Sequence, residues 1–144
     1  MKTRIQNIHT TAGETIRHFL GDTESILFFD IETTGLSPKN ASIYLIGAAF
    51  LQDKKWTLQQ WFAENTAEEE AILDAFLKFA APYRKLVHFN GTTFDVPFVQ
   101  AKCKKYGLDS PFPQMEQTDI YRQISPLKNL LKLPNCKQKT LEEY

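Results

Sequence analysis

The sequence predicts an α/β fold, a mixed sheet flanked by helices, and three observations carry that prediction. Apolar runs of strand length recur three times between residues 25 and 62, separated by polar breaks of turn character. Beyond them, helical and strand-like patterns alternate as far as residue 121. A length of 144 residues, 42% hydrophobic and 12% aromatic, suits one domain with one core, taken as residues 1–144.

Residues 1–24 are expected to be a helical extension. Thr11-x-x-Glu14 opens a short helix that runs through Leu20, closes at Gly21 and packs on the domain. Ser25–Phe29 has the unbroken apolar character of a central strand covered on both faces, and Thr33-Thr34-Gly35 ends it with turn chemistry. Strands follow near Ser42–Leu51 and Lys55–Phe62, joined by a polar turn at 52–55. Thr66-x-x-Glu69 is a capping box for a helix whose Ile72, Leu73, Phe76, Leu77 and Ala80 form one apolar stripe, and Pro82 helps to end it. A fourth strand carries Leu86–Phe89. The next helix begins near Asp95, tolerates Pro97 in its first turn, runs to about Tyr106 and closes at Gly107. Pro111, Pro113 and Gln114 mark a loop, and Thr118–Tyr121 is a short fifth strand or a helix start.

The chemistry is concentrated at two places. Asp30 and Glu32 stand two positions apart where the first apolar run ends, so in a strand they share one face while Ile31 points the other way. Two carboxylates that close need a counter-charge, and hard oxygen ligands favour Mg²⁺ or Mn²⁺ over Zn²⁺. A solvated pair or a lysine salt bridge is the plainer alternative. The second place is Asn90-Gly91-Thr92-Thr93-Phe94-Asp95, at the end of the fourth strand. Asp95 there could serve as a helix N-terminal carboxylate, which would account for an Asp but not for Asn90 and Phe94 beside it.

Phe29-Asp30-Ile31-Glu32-Thr33 resembles the first motif of the DEDD 3′–5′ exonucleases, which include the proofreading domains of DNA polymerases, and Asn90-x-x-x-Phe94-Asp95 resembles their second. Thr33-Thr34-Gly35-Leu36 and Ser42-Ile43-Tyr44-Leu45-Ile46-Gly47 look most like the bacterial YprB-type ribonuclease H-like domains. The similarity spans about residues 25–144. It implies a ribonuclease H-like sheet and a two-metal-ion hydrolysis of phosphodiesters that releases nucleoside 5′-monophosphates. In that scheme Asp30 bridges two Mg²⁺ or Mn²⁺ ions, Glu32 binds the ion that activates water, and Asp95 supports the second ion mostly through water. Ions about 3.5–4 Å apart would clamp the attacking and leaving oxygens. Asn90 would orient the terminal nucleotide, Leu36 would wedge between terminal bases, and Thr33 joins them among the substrate-binding positions. Phe94 either packs beneath the site or stacks on a base.

The family pattern also has a fourth Asp, preceded four or five residues earlier by Tyr or His. Nothing in the chain matches it. Asp119 comes too soon after Asp95, and Tyr121 follows it, so Asp119 is expected to support the site from behind. Thr140-x-x-Glu143 is a capping box at which the chain stops, read as a last helix that is missing its body. The expectation is weak metal binding and slow or absent hydrolysis by these 144 residues.

Charge is balanced, 17 basic against 17 acidic side chains, which argues against broad affinity for duplex nucleic acid. Acidic residues gather at Glu64, Glu68, Glu69, Glu70 and Asp74. Lys102, Lys104, Lys105, Lys128, Lys132, Lys137 and Lys139 gather later, either as a solvated face or as a track for the phosphates of single-stranded DNA or RNA. Cys103 and Cys136 lack metal-ligand spacing and are expected to be reduced thiols of a cytoplasmic protein. His88 is expected to be packed. No segment has the apolar length of a membrane span. Besides an exonuclease, an endonuclease for structured nucleic acid and a non-catalytic nucleic-acid-binding module remain open.

Overall fold

A computed structural model describes residues 1–10, 13–130, 132, 134, 135 and 137–143. The expected cap at Thr11, the side chain of Thr140 and the thiol of Cys136 fall outside what is described, and the backbone at Thr140 lies inside the helical turn Gln138–Glu142 rather than before it. Six strands form one mixed sheet: β1 (Lys2–Ile8), β2 (Ile26–Thr33), β3 (Ile43–Gln52), β4 (Lys55–Phe62), β5 (Lys85–His88) and β6 (Glu116–Asp119), in the order β1-β4-β3-β2-β5-β6. The meander β2-β3-β4 is antiparallel, and β5 and β6 add in parallel on the other side of β2. Crossover segments between parallel strands carry α2 (Glu69–Ala80), between β4 and β5, and α3 (Asp95–Tyr106), between β5 and β6. Two short helices, α1 (Gly13–Leu20) and α4 (Ile120–Ile124), and a C-terminal turn, α5 (Gln138–Glu142), complete the chain.

The core lies between one face of the sheet and α2 with α3. Phe29 stacks on Phe76 at 5.7 Å and contacts Phe112 at 5.2 Å, and Trp61 meets Phe76 edge-on at 5.5 Å. Ile72, Leu73, Phe76, Leu77 and Ala80 are all buried, so the stripe read from the sequence is the packing face of α2.

Four expectations are corrected. Residues 1–24 are not simply helical: β1 pairs antiparallel with β4 over seven residues, as an exposed edge strand whose Lys2 and Arg4 blunt the edge. Its polar composition hid it, because an edge strand with no buried face has no alternating apolar signature. No capping box starts α2: Thr66–Glu68 is a 3₁₀ turn capped by Asn65, whose Oδ1 accepts the Ala67 N–H at 3.0 Å, and α2 follows it with no side-chain cap. Glu69, freed from that role, turns inward. The first apolar run is covered on both faces only at Ile26 and Leu27; from Phe28 onward the burial alternates and one face opens. Finally, Lys102 is not on a basic surface. It is buried, with its ammonium 3.1 Å from Glu69.

Candidate functional site

On β2 the period of two places Phe28, Asp30 and Glu32 on the open face of the sheet and Phe29 and Ile31 in the core. Asp30 lies opposite Gly47 of β3, where an added Cβ would meet nothing within 4 Å, so the floor beside the carboxylate is clear. The pairing register shifts between Glu32 and Thr33, and this irregularity releases the chain into a turn. Thr33 Oγ1 closes that turn on the Gly35 carbonyl at 2.8 Å, and Leu36 at its tip is 87% exposed.

Parallel pairing of β5 with β2 delivers the second group. Asn90 follows β5 in the left-handed region, φ 55°, which Asn tolerates better than most residues. Its side-chain oxygen accepts the Thr93 hydroxyl at 2.8 Å, and Val96 N–H donates to the Gly91 carbonyl at 2.8 Å as α3 begins. Asp95 is therefore the first residue of α3, but it does not cap it. Its buried carboxyl reaches Asp30 and the backbone of Ile31 instead. Phe94 leans on Phe98 at 5.5 Å and packs against the core.

Burial, then the hydrogen bond and the charge of Asp30, with a smaller push from Glu32, raise the Asp95 carboxyl to about 8; the Ile31 N–H opposes this weakly. Asp95 Oδ2 is buried with no hydrogen-bond partner. An orphaned carboxyl oxygen beside two further carboxyl groups is what a hard divalent cation satisfies, and an all-carboxylate donor set fits Mg²⁺ or Mn²⁺. Among the described residues no three His, Cys, Asp or Glu side chains close into a cage.

Asp119 holds the loop that leads to Asp95. Its carboxylate accepts the N–H groups of Asn90 at 2.8 Å, Thr92 at 3.3 Å and Tyr121 at 3.1 Å. Burial pushes this carboxyl upward, but hydrogen bonds from Thr92 and Asn90 and the charge of His88 outweigh it and hold the group below the usual carboxylate range. His88 is buried, edge-on to Phe29 at 6.0 Å, with its Nδ1 unpaired and 3.9 Å from Asp119 Oδ2. Gly91 packs on that ring so closely that a Cβ would sit 2.5 Å from it. Sequence reasoning placed Asp119 behind the site and His88 in the packing; it missed that Gly91 and the Asn90 loop join them, and the glycine after Asn90 was the local signal. Sequence reasoning also missed Phe89 and Tyr121, whose rings meet edge to face at 5.8 Å beside the carboxylates.

Two clefts meet at Phe89. One, of about 380 Å³, lies over the open sheet face at Asp30 and Glu32. The other, of about 820 Å³, is lined by Asp95, Phe94, Phe89, Tyr121, Lys128 and Lys137 among others. No helix among the described residues is long and apolar enough to cross a membrane.

Comparison with known proteins places this arrangement. Residues 27–144 match the family model of the RNase_H superfamily. The PolC-type DNA polymerase III of Caldanaerobacter subterraneus is 29% identical over 138 residues, covering 81% of this chain and 9% of that protein. The uncharacterized protein YprB of Bacillus subtilis is 33% identical over 79 residues, covering 54% of this chain and 19% of YprB. The chain thus spans less than a fifth of the length of these relatives. Among solved structures, Escherichia coli Exonuclease I in complex with a dT13 oligonucleotide superposes with a TM-score of 0.61 at 13% identity, covering 82% of this chain and 35% of that one. The family B DNA polymerase of Pyrobaculum calidifontis gives 0.51 at 19% identity over 67% of this chain and 13% of the polymerase. With the sheet order, the Asp30–Asp95 convergence and the family match agreeing, this chain belongs to the RNase_H superfamily and has the ribonuclease H-like architecture of DEDD-type exonuclease domains.

Proposed function

We propose that the chain is a divalent-metal-dependent 3′–5′ exonuclease domain that acts on single-stranded DNA or RNA ends and releases nucleoside 5′-monophosphates. The observation that carries this reading is the buried, partnerless Oδ2 of Asp95 set against Asp30 beside Glu32. Asp30, Glu32 and Asp95 would hold Mg²⁺ or Mn²⁺, which when bound supplies Lewis-acid activation of water and charge neutralisation at phosphorus. Asp30 and Glu32 approach from the open sheet face, so the scissile phosphate is reached from solvent. Asn90 and Thr33 shape the two turns on either side of the carboxylates, and Leu36 projects from the second of them toward a strand end. Asp119 acts through the loop it holds and is a positioning residue.

The oligonucleotide seen on Exonuclease I supports a single-stranded substrate, and the neutral overall charge is in keeping with local recognition of an end. The test is single-turnover digestion, with the chain in excess, of a 5′-labelled single strand in Mn²⁺. A ladder shortening from the 3′ end, abolished by Asp30→Asn, is expected. Intermediate-length products from a 3′-labelled strand, whose label an exonuclease releases at once as a mononucleotide, would establish an endonuclease, and an intact strand after prolonged incubation would leave a binding module.

A further inference from the structure

Resting on that nuclease reading, the larger cleft points to a second binding element. Among its described lining residues Asp95 is the sole acid, and Lys128 and Lys137 line the same cleft. In a chain with zero formal net charge this is a local concentration of cation beside a carboxylate site. Its volume, about 820 Å³, is at the upper end of small-ligand pockets, about 300–1,000 Å³. It is open along its length, which suits a run of polymer better than an enclosed small molecule. Phe89 lines both clefts and so stands at the junction between the carboxylates and the lysines.

Phe89 and Tyr121 touch at 5.8 Å with an interplanar angle of 78°. An edge-to-face pair covers one ring face, where a parallel stack would cover two, so aromatic surface remains for a third ring. Both residues are half-buried: Phe89 directly follows β5, and Tyr121 stands in the first turn of α4 with its N–H bound to Asp119. Aromatic faces that alternate with cations along an open groove are how single strands are bound without sequence preference.

We propose that Phe89 and Tyr121 form a stacking platform for one unpaired nucleobase adjoining the terminal nucleotide, with Lys128 and Lys137 taking the phosphates beyond it. The ligand class is a single-stranded oligonucleotide several residues long, of either sugar.

The experiment is an abasic scan of binding, read by fluorescence anisotropy on a 5′-labelled ten-nucleotide oligothymidylate in EDTA, so that hydrolysis does not enter. In the wild-type chain, removal of one particular base near the 3′ end should weaken binding about tenfold. In Tyr121→Ala the same removal should cost less than twofold, because the base has lost its partner. Tyr121→Phe, which keeps the ring, should restore the wild-type penalty, and this guards against a folding defect. Lys128→Ala and Lys137→Ala should each lower the slope of log affinity against log salt by about 0.7. Equal abasic penalties in wild type and Tyr121→Ala, no sensitive position, or no binding at all would overturn the platform. Coupling in a chain that digests nothing would retain the platform and overturn the nuclease reading; digestion without coupling would do the reverse.

Discussion

Glu69 Oε1 lies 3.1 Å from Lys102 Nζ, joining α2 to α3 through an ion pair of which only 1–2% of either side chain is exposed. Each member has further hydrogen bonds. Glu69 also accepts the Ile43 N–H at 2.7 Å and the Tyr106 hydroxyl at 2.5 Å, and Lys102 donates to the Ala41 carbonyl at 2.5 Å. Both charges thereby hold the end of the 34–42 loop, the segment that carries Leu36, against the helical layer. Removing one partner strands the other, so Lys102→Met should cost about 3–5 kcal/mol, read as a lower urea midpoint at unchanged m. Glu69→Gln added to it should recover part of the loss. A single variant as stable as the parent would contradict the lock.

Asp95 and Asp119 respond to pH with opposite signs. The Asp95 carboxyl is raised from 3.8 to about 8, so its contribution to stability is full below the unfolded value and is lost as pH rises through about 8. The Asp119 carboxyl is lowered from 3.8, so its contribution is present above that value and is lost as pH falls below it. In EDTA the melting temperature should therefore decline from mildly acidic toward alkaline pH, and Asp95→Asn should flatten that decline. Mn²⁺ should stabilise most at the alkaline end, because a cation binds the ionised carboxylate. Differential scanning across pH 4–9 reads all three outcomes, and a slope that survives Asp95→Asn would place its origin elsewhere.

Gly91→Ala tests the support beneath Asn90. The added methyl would meet the buried His88 ring at 2.5 Å, so the loop or the ring must move. Overpacking of this kind costs about 1–3 kcal/mol. His88→Ala in the same chain should relieve part of it, and a non-additive double-mutant cycle in urea denaturation would show the contact. Strict additivity would show that the two do not press on each other.

Leu36→Ala separates stability from function. At 87% exposure the side chain contributes little to folding, and the urea midpoint should correspond to a change within about 0.5 kcal/mol. If Leu36 wedges at a strand end, digestion of paired 3′ ends should slow more than digestion of unpaired ones. Equal rates on both substrates would remove that role.

Much of this was legible from local pattern. The period of two puts Asp30 and Glu32 on one face whatever the sheet order, and the stripe from Ile72 to Ala80 defines a packing face by the helical period alone. Turn and helix punctuation at Asn90, Asp95 and Gly107 likewise depends on neighbours within a few residues. Tertiary structure decided what no local rule reaches. It decided that β1 covers the edge of β4, that Glu69 and Lys102, each in a run of like charge, leave the surface to meet one another, and that parallel pairing of β5 with β2 brings Asp95 against Asp30. Such pairings join residues 33 to 65 positions apart, and their free energy comes from burial and partner geometry that exist only once the sheet is assembled.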